Sequence, residues 1–119
     1  MRIVAGIVLA ALFTAPAYAD GNAAAGEKVF AACAACHSIG DGATAKIGPP
    51  LNNIVGAVAG AQDFSYSDAM RTARGNGLVW TPATLAQFLS GRAGDFLPHT
   101  KMTFAGLRSQ QKVDDVIAY

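Results

Sequence analysis

The sequence predicts a small all-α domain in which short helices are joined by long loops. Alanine-rich or apolar segments follow residues that favour helix N-termini, and several carry apolar side chains at helical spacing. Clusters of glycine and proline separate these segments. Nothing around residues 33–37 looks like a strand. Together these observations favour helices over any sheet.

The first nineteen residues are predicted to be a secretory signal rather than part of the fold. Arg2 supplies a positive charge, residues 3–13 an apolar run, and Ala17-Tyr18-Ala19 a small-residue cleavage site. A membrane-spanning helix needs about 20 apolar residues, and Pro16 helps to interrupt this run well before that. We therefore expect export to the periplasm, cleavage after Ala19, no membrane insertion, and a single domain over residues 20–119.

The first predicted helix begins near Asp20–Asn22, which can cap it, and runs through an alanine-rich stretch to the cysteines. Gly26 lies inside this helix, where glycine costs about 1 kcal/mol relative to alanine. It either allows close contact with another backbone or ring, or is simply tolerated.

After residue 37 the chain is predicted to be mostly loop, because Gly40-Asp41-Gly42 and Gly48-Pro49-Pro50 oppose helix formation. Three further helices follow in order. They are expected at residues 69–74, ending at the glycines 75 and 77; from Thr81-Pro82 to Gly91, with threonine as the cap; and within residues 109–119.

The central motif is Cys33-Ala34-Ala35-Cys36-His37, which has the C-x-x-C-H spacing of covalent attachment to a c-type haem. One helical turn presents both thiols to one porphyrin, and the next residue offers an imidazole to the iron. The alternatives are a thioredoxin-like redox pair, which needs a βαβ context, or coincidence in an alanine-rich segment. The motif therefore predicts one haem c, with Cys33 and Cys36 as anchors and His37 as an iron ligand.

The second axial ligand decides the function, and Met70, His99 and Met102 are the candidates. Met102 lies in the irregular polar segment 97–104, where a methionine is a poor core filler. A thioether stabilises ferrous over ferric iron and so raises the reduction potential. We expect Met102 as the ligand, with His99, Met70 or an open position as alternatives. Met70 is expected to pack inside a short helix.

The prolines at 49 and 50 lie close to His37 in sequence and impose a fixed extended course. A metal-bound imidazole normally donates its other N–H to a fixed acceptor. A backbone carbonyl near Pro49 is a candidate for this acceptor. Alternatively, the two prolines only shape a turn.

Charge and size narrow the possible functions. Without Arg2, residues 20–119 hold eight Lys or Arg and eight Asp or Glu, so their net charge is zero. Nucleic-acid binding requires a concentrated basic face, which this sequence lacks. One hundred residues form one small domain, and loops this long fit such a domain only if they wrap a buried group.

Seven segments together resemble the class I c-type cytochromes, most closely the cytochrome c2 and mitochondrial cytochrome c branch. They are Gly26–Phe30, Cys33–His37, Gly48–Leu51, Phe64–Ala69, Trp80, Pro98–Phe104 and Asp115–Tyr119. The resemblance implies a small cytochrome c fold, with short helices and long loops around one covalently bound haem. It also implies thioethers at Cys33 and Cys36 and iron ligation by His37 and Met102.

Other matching positions inherit expected roles from the same resemblance. The carbonyl of Pro49 would accept from the axial histidine. Tyr66 and Trp80 would hydrogen-bond a haem propionate, since each combines an apolar body with one donor. Thr100 would help to fix the neighbouring loop, and Phe104 would shield the haem edge.

The resemblance also has departures that bear on the haem environment. Ala57 stands where the mitochondrial branch has an arginine, Met70 replaces an asparagine, and Phe88 replaces a tyrosine. Loss of these polar groups changes the buried hydrogen-bond network and hence the potential. The resemblance further implies that Gly26 receives the ring of Tyr119 where the first and last helices cross.

These features together predict a soluble, monomeric, single-haem electron carrier of a respiratory or photosynthetic chain, not an enzyme. Its partners would be redox proteins that bind transiently, with Lys46 and Lys101 flanking the exposed haem edge. Steering by charge should be weak, because most of the lysine ring of the mitochondrial proteins is absent. The alternatives are a haem subunit of a periplasmic dehydrogenase, or a peroxidase or gas-binding protein with a labile sixth ligand.

Overall fold

The computed structural model describes residues 10–11 and 21–119. The predicted secretory signal and its cleavage site lie outside the described residues, apart from positions 10 and 11. Residues 21–119 form five α-helices: α1 Ala23–Val29, α2 Asp68–Gly75, α3 Pro82–Leu89, α4 Ala93–Phe96 and α5 Gln110–Ala118. Within this range there is no strand, only an isolated antiparallel bridge between Val58 and Val79. The all-α prediction is confirmed.

The longer helices begin where the sequence supplies a capping side chain. The Asn22 amide oxygen accepts from the Ala25 N–H at 2.9 Å at the start of α1. Thr81 and Thr84 satisfy each other's backbone N–H groups at the start of α3, with Pro82 as the first helical residue. The Ser67 hydroxyl accepts from the Met70 N–H at the start of α2, and the Ser109 hydroxyl accepts from the Lys112 N–H at the start of α5. The caps of α1 and α3 were predicted from the sequence, whereas Ser67 was not, and α2 begins one residue before its predicted start.

Two features of the helices differ from the prediction. The first helix does not run as an α-helix to the cysteines, because it tightens after Val29 into a 3-10 turn at Phe30–Ala32. Helix α4 was not predicted, since it has only four residues and no side-chain cap at Arg92. None of the described helices is long and apolar enough to cross a membrane.

Helix α1 crosses α5 at a point where the two backbones touch. Gly26 is buried, and a Cβ built there would overlap the Asp115 carbonyl and lie 2.9 Å from the Tyr119 Cβ. The Asp115 carboxylate accepts from the Asn22 N–H at 2.8 Å, which ties the start of α1 to α5. The ring of Tyr119 packs on Phe30 at 5.6 Å between centroids. The glycine therefore accommodates both the α5 backbone at Asp115 and the Cβ of Tyr119.

The main apolar core lies between α3, α4 and the loop that precedes α3. The rings of Trp80, Phe88 and Phe96 pack together with centroids 5.1–6.0 Å apart. Ala93 is fully buried in the same cluster. Partly buried side chains from the segment before α5, including Met102 and Phe104, pack against this core. The core thus anchors the wall on which the predicted second ligand lies.

Candidate functional site

A cavity of about 1300 Å³ lies between the cysteine-containing turn, the loops at 47–67, α3, the 100–104 segment and α5. Most pockets for small ligands have volumes of roughly 300–1,000 Å³. Unfilled core volume costs about 24 cal/mol per Å³, and a small domain has only about 5–15 kcal/mol of stability in total. A cavity of this volume with mainly apolar walls therefore fits a large apolar group such as the predicted haem.

The chain presents both cysteines to this cavity through consecutive tight turns. The Cys33 N–H donates to the Phe30 carbonyl at 2.8 Å, and the His37 N–H donates to the Cys33 carbonyl at 2.9 Å. Cys33 and Cys36 are unpaired, half-buried and line the cavity, and so does His37. The helical course after α1 thus brings all three motif side chains to one wall.

His37 is held in a fixed orientation from two sides. Its Nδ1 lies 2.7 Å from the Pro49 carbonyl oxygen, and because a carbonyl only accepts, Nδ1 must carry the proton. Gly48 lies against the ring, since a Cβ there would be 2.7 Å from Nδ1. This arrangement leaves the Nε2 lone pair free, which is the state required of a metal-binding imidazole.

Burial raises the pKa of the Cys33 thiol, and the nearby Cys36 raises it further. Thiolate rather than thiol is the reactive form of cysteine. In the folded chain before any covalent attachment, Cys33 is therefore a weak nucleophile at neutral pH.

Met102 lies on another wall of the cavity, in a loop that is tied back at several points. The Met102 N–H donates to the Thr100 hydroxyl at 3.3 Å, and the Phe104 carbonyl accepts from the Ala93 N–H at 2.9 Å. The Leu107 N–H donates to the Leu89 carbonyl at 2.7 Å. Helices α3 and α4 therefore hold the segment that carries Met102.

The same loop contains a strained residue. His99 has φ of +67°, a left-handed conformation that L-residues other than glycine adopt at a cost of about 1–3 kcal/mol. Its side chain is exposed. Because the imidazole is exposed, its burial does not offset the free energy of this backbone strain.

We expect His99→Gly to stabilise the protein by about 0.5–1 kcal/mol, because the strain relieved exceeds the backbone entropy that glycine adds to the unfolded chain. Guanidinium unfolding of the holoprotein should show a higher midpoint with an unchanged slope. The matched control is Ala45→Gly, an exposed loop residue whose φ is not positive, which should lower the midpoint. A His99→Gly midpoint as low as that of Ala45→Gly would contradict the argument.

Tyr66 and Trp80 line the cavity. The Tyr66 hydroxyl accepts from the Gln62 N–H at 3.0 Å, which leaves its own hydrogen available for a second acceptor. Trp80 is 4% exposed and fixed by the aromatic core. Thr100 and Phe104 are also lining residues. The predicted cofactor-contact residues are thus brought to one cavity.

The alternative iron ligands have different locations. Met70 lines the cavity from α2 and packs against the core, whereas exposed His99 is not among the lining residues. Ala57 and Phe88, two of the departures from the resemblance, also line the cavity. A substitution at either position would therefore change the cavity wall.

One positioning residue escaped the sequence reasoning. The Asn52 amide donates to the Gly40 carbonyl at 2.8 Å and accepts from the Gly40 N–H at 2.9 Å. The Asn52 side chain thereby satisfies both backbone polar groups of Gly40 and fixes the loop that follows His37. The signal was available in principle, because asparagine commonly satisfies turn backbone in this way.

Known proteins match this chain over nearly its whole described length. The family model described as Cytochrome c matches residues 23–119. A cytochrome c2 from Agrobacterium tumefaciens is 48% identical over 101 residues, which cover 84% of this chain and 90% of that protein. The cytochrome c2 of Afifella marina is 50% identical over 97 residues, covering 81% and 77%. The solved structure of cytochrome cH from Methylobacterium extorquens superposes with a TM-score of 0.74 at 44% identity, covering 83% of this chain and 96% of that one.

Proposed function

Because this chain belongs to the cytochrome c family, in its cytochrome c2 branch, we propose that it carries single electrons with an iron held by His37 and Met102. Membership makes it a monohaem electron carrier rather than an enzyme, with one covalently attached haem c. The axial ligands, export and the identity of the redox chain are the proposed parts. When bound, the haem supplies a one-electron ferrous–ferric couple.

The observation that supports the ligand set best is the orientation of His37. Its Nδ1 donates to the Pro49 carbonyl at 2.7 Å, so Nε2 presents its lone pair. Cys33 and Cys36 line the same cavity and would form the thioethers. Met102, held by the Thr100 hydroxyl and by the attachment of its loop to α4, would supply the sulfur.

The protein assists electron transfer in two ways: it holds the axial ligands rigidly, and it keeps water away from the haem. An imidazole fixed by a short hydrogen bond and a methionine on a tethered loop change position little when the charge of the iron changes. The buried Trp80 and Phe88 exclude water from one wall, and a dry site strengthens the control of potential by the ligands. Reorganisation on electron transfer is therefore small.

The polar residues of the cavity would hold the anionic edge of the cofactor. Tyr66 has a hydroxyl hydrogen to donate, and Trp80 and Thr100 line the same cavity. Phe104 would cover the haem edge from the Met102 loop. Ala57 offers no positive charge there, so the balance of charge differs from that of relatives with arginine at this place.

We place the carrier in the periplasm as a monomer made of residues 20–119, after removal of a signal that ends at Ala19. The sequence pattern of the first nineteen residues supports export. Its redox partners would bind transiently, as small interfaces of this kind do. The electron-transport chain in which it acts would be respiratory or photosynthetic.

Optical spectra of the mature holoprotein test the proposal directly. The oxidised form should show a sulfur-to-iron charge-transfer band, and carbon monoxide should leave the reduced spectrum unchanged. Both results follow from retention of two strong axial ligands. Prompt carbon monoxide binding without that band would mean an open or labile position, and would overturn Met102 ligation in favour of a gas-binding or peroxidase site.

A further inference from the structure

One wall of the cavity, formed by residues 60–66, is held in place by side chains rather than by backbone pairing. Every residue of this 60–66 wall except Asp63 lines the cavity. The Ala59 N–H, just before the wall, still donates to the Leu78 carbonyl at 2.8 Å. Within the part of the chain that the structure describes, residues 60–66 make no backbone–backbone hydrogen bond to any other segment. Their position against the cavity must therefore come from other contacts.

Two arginines of α2 hold the two ends of the 60–66 wall. The Arg74 guanidinium donates to the Gly60 carbonyl at 2.7 Å, and the Arg71 guanidinium donates to the Tyr66 carbonyl at 2.8 Å. The two arginines are three positions apart, so they are neighbours on the helix surface. Hydrogen bonds from a charged donor are roughly twice as strong as those between neutral groups. Helix α2 thus fixes both ends of the wall through positively charged side chains.

The two arginines differ in the charge that they bring to the wall. Arg71 also forms an ion pair with Asp68 within α2, which offsets its positive charge. No such pair joins Arg74 to a carboxylate among the described residues. Its guanidinium is held at hydrogen-bond distance from the backbone of Gly60, which lines the cavity. Arg74 therefore places an uncompensated positive charge against the 60–66 wall.

We infer that Arg74 is a positioning residue that raises the reduction potential of the bound haem, by holding the 60–66 wall in place and by fixing its positive charge beside the cavity. The inference rests on the proposed carrier function. Ferric iron carries one more positive charge than ferrous iron, so a nearby cation favours the ferrous state. A wall that stays in place also excludes water, which would stabilise the more highly charged ferric state. Both effects raise the potential.

The test is a redox titration of the holoprotein at low ionic strength, for wild type and three variants. Arg74→Gln should shift the ferrous–ferric equilibrium about threefold towards ferric, which is a potential lower by about 30 mV for a one-electron couple. Arg74→Lys keeps a charged donor and should recover at least about half of that shift. The matched control is Arg92→Gln, which removes the same charge from an exposed residue before α4 that makes no side-chain cap bond. It should shift the equilibrium less than about 1.3-fold, because exposed charges are screened.

A second readout reports on the wall itself. The Gln62 N–H donates to the Tyr66 hydroxyl at 3.0 Å within the wall, and its hydrogen exchange should be faster in Arg74→Gln than in wild type. Faster exchange with an unchanged potential would reduce Arg74 to a structural role and overturn the inference. An equal fall of potential in Arg92→Gln would also overturn it, since net charge alone would then explain the effect. Failure of the carrier function would look different, as a wild-type protein that shows no reversible one-electron reduction.

Discussion

Met102→Leu should convert the holoprotein into one that binds carbon monoxide, with a reduction potential lower by on the order of 0.2 V. Axial ligands set haem potentials over a span of about 0.8 V, and a thioether favours ferrous iron. Leucine keeps the volume of methionine and usually costs less than about 1.5 kcal/mol in a core, so the fold should persist. The measurements are the charge-transfer band of the oxidised form, the carbon monoxide spectrum and a redox titration.

The matched control is Met70→Leu, because Met70 lines the same cavity from α2 and is also partly buried. It should retain the charge-transfer band, remain inert to carbon monoxide and keep its potential within a few tens of millivolts, as expected for a group that contacts the site without ligating. If the two variants exchanged phenotypes, Met70 would be the ligand. If neither lost the band, the assignment of the sulfur ligand to Met102 would fail.

Gly26→Ala should destabilise the holoprotein by about 2–4 kcal/mol, although alanine is the better helix former. The added methyl group would overlap the Asp115 carbonyl at the crossing of α1 and α5. Backbone atoms cannot rotate away as a side chain could, so the helices must separate. For a domain of this size, such a loss lowers the melting temperature by very roughly 10–25 °C, which calorimetry would detect.

Gly75→Ala is the control for Gly26→Ala, because the same methyl group is added at a glycine with free space around it. Gly75 ends α2, and a Cβ there would have no neighbour within 4 Å. Alanine should be neutral there or stabilise by up to about 1 kcal/mol. A stabilising effect at both glycines would show that the crossing relaxes easily and that the contact at Gly26 is not tight.

Local chemistry could be predicted from the sequence, whereas contacts between distant segments could not. The C-x-x-C-H motif, the threonine cap of α3 and the loop after His37 depend on neighbours in the chain, and their patterns are specific. The resemblance extended this to the cavity residues Tyr66 and Trp80. Both Tyr66 and Trp80 line the cavity in the structure.

The partner of Gly26 illustrates what sequence reasoning missed. A buried glycine in a helix indicates a close approach, but only the three-dimensional packing identifies the Asp115 carbonyl as its nearest neighbour. The four-residue helix α4 lacks any cap and depends on its contacts with α3 and the Phe104 carbonyl.

The crossing of α1 and α5 also determines how much the chain between them can vary in length. The hydrogen bond between Asn22 and Asp115 spans 93 positions, and the entropy of closing a flexible loop grows only with the logarithm of its length. Doubling such a span costs about 0.6 kcal/mol, far less than a misfit at Gly26. Insertions and deletions in the exposed loops around Gly42 are therefore thermodynamically cheap, while the spacing of residues at the crossing is fixed. Length variation among carriers built on this plan should accumulate in the loops that surround the cavity.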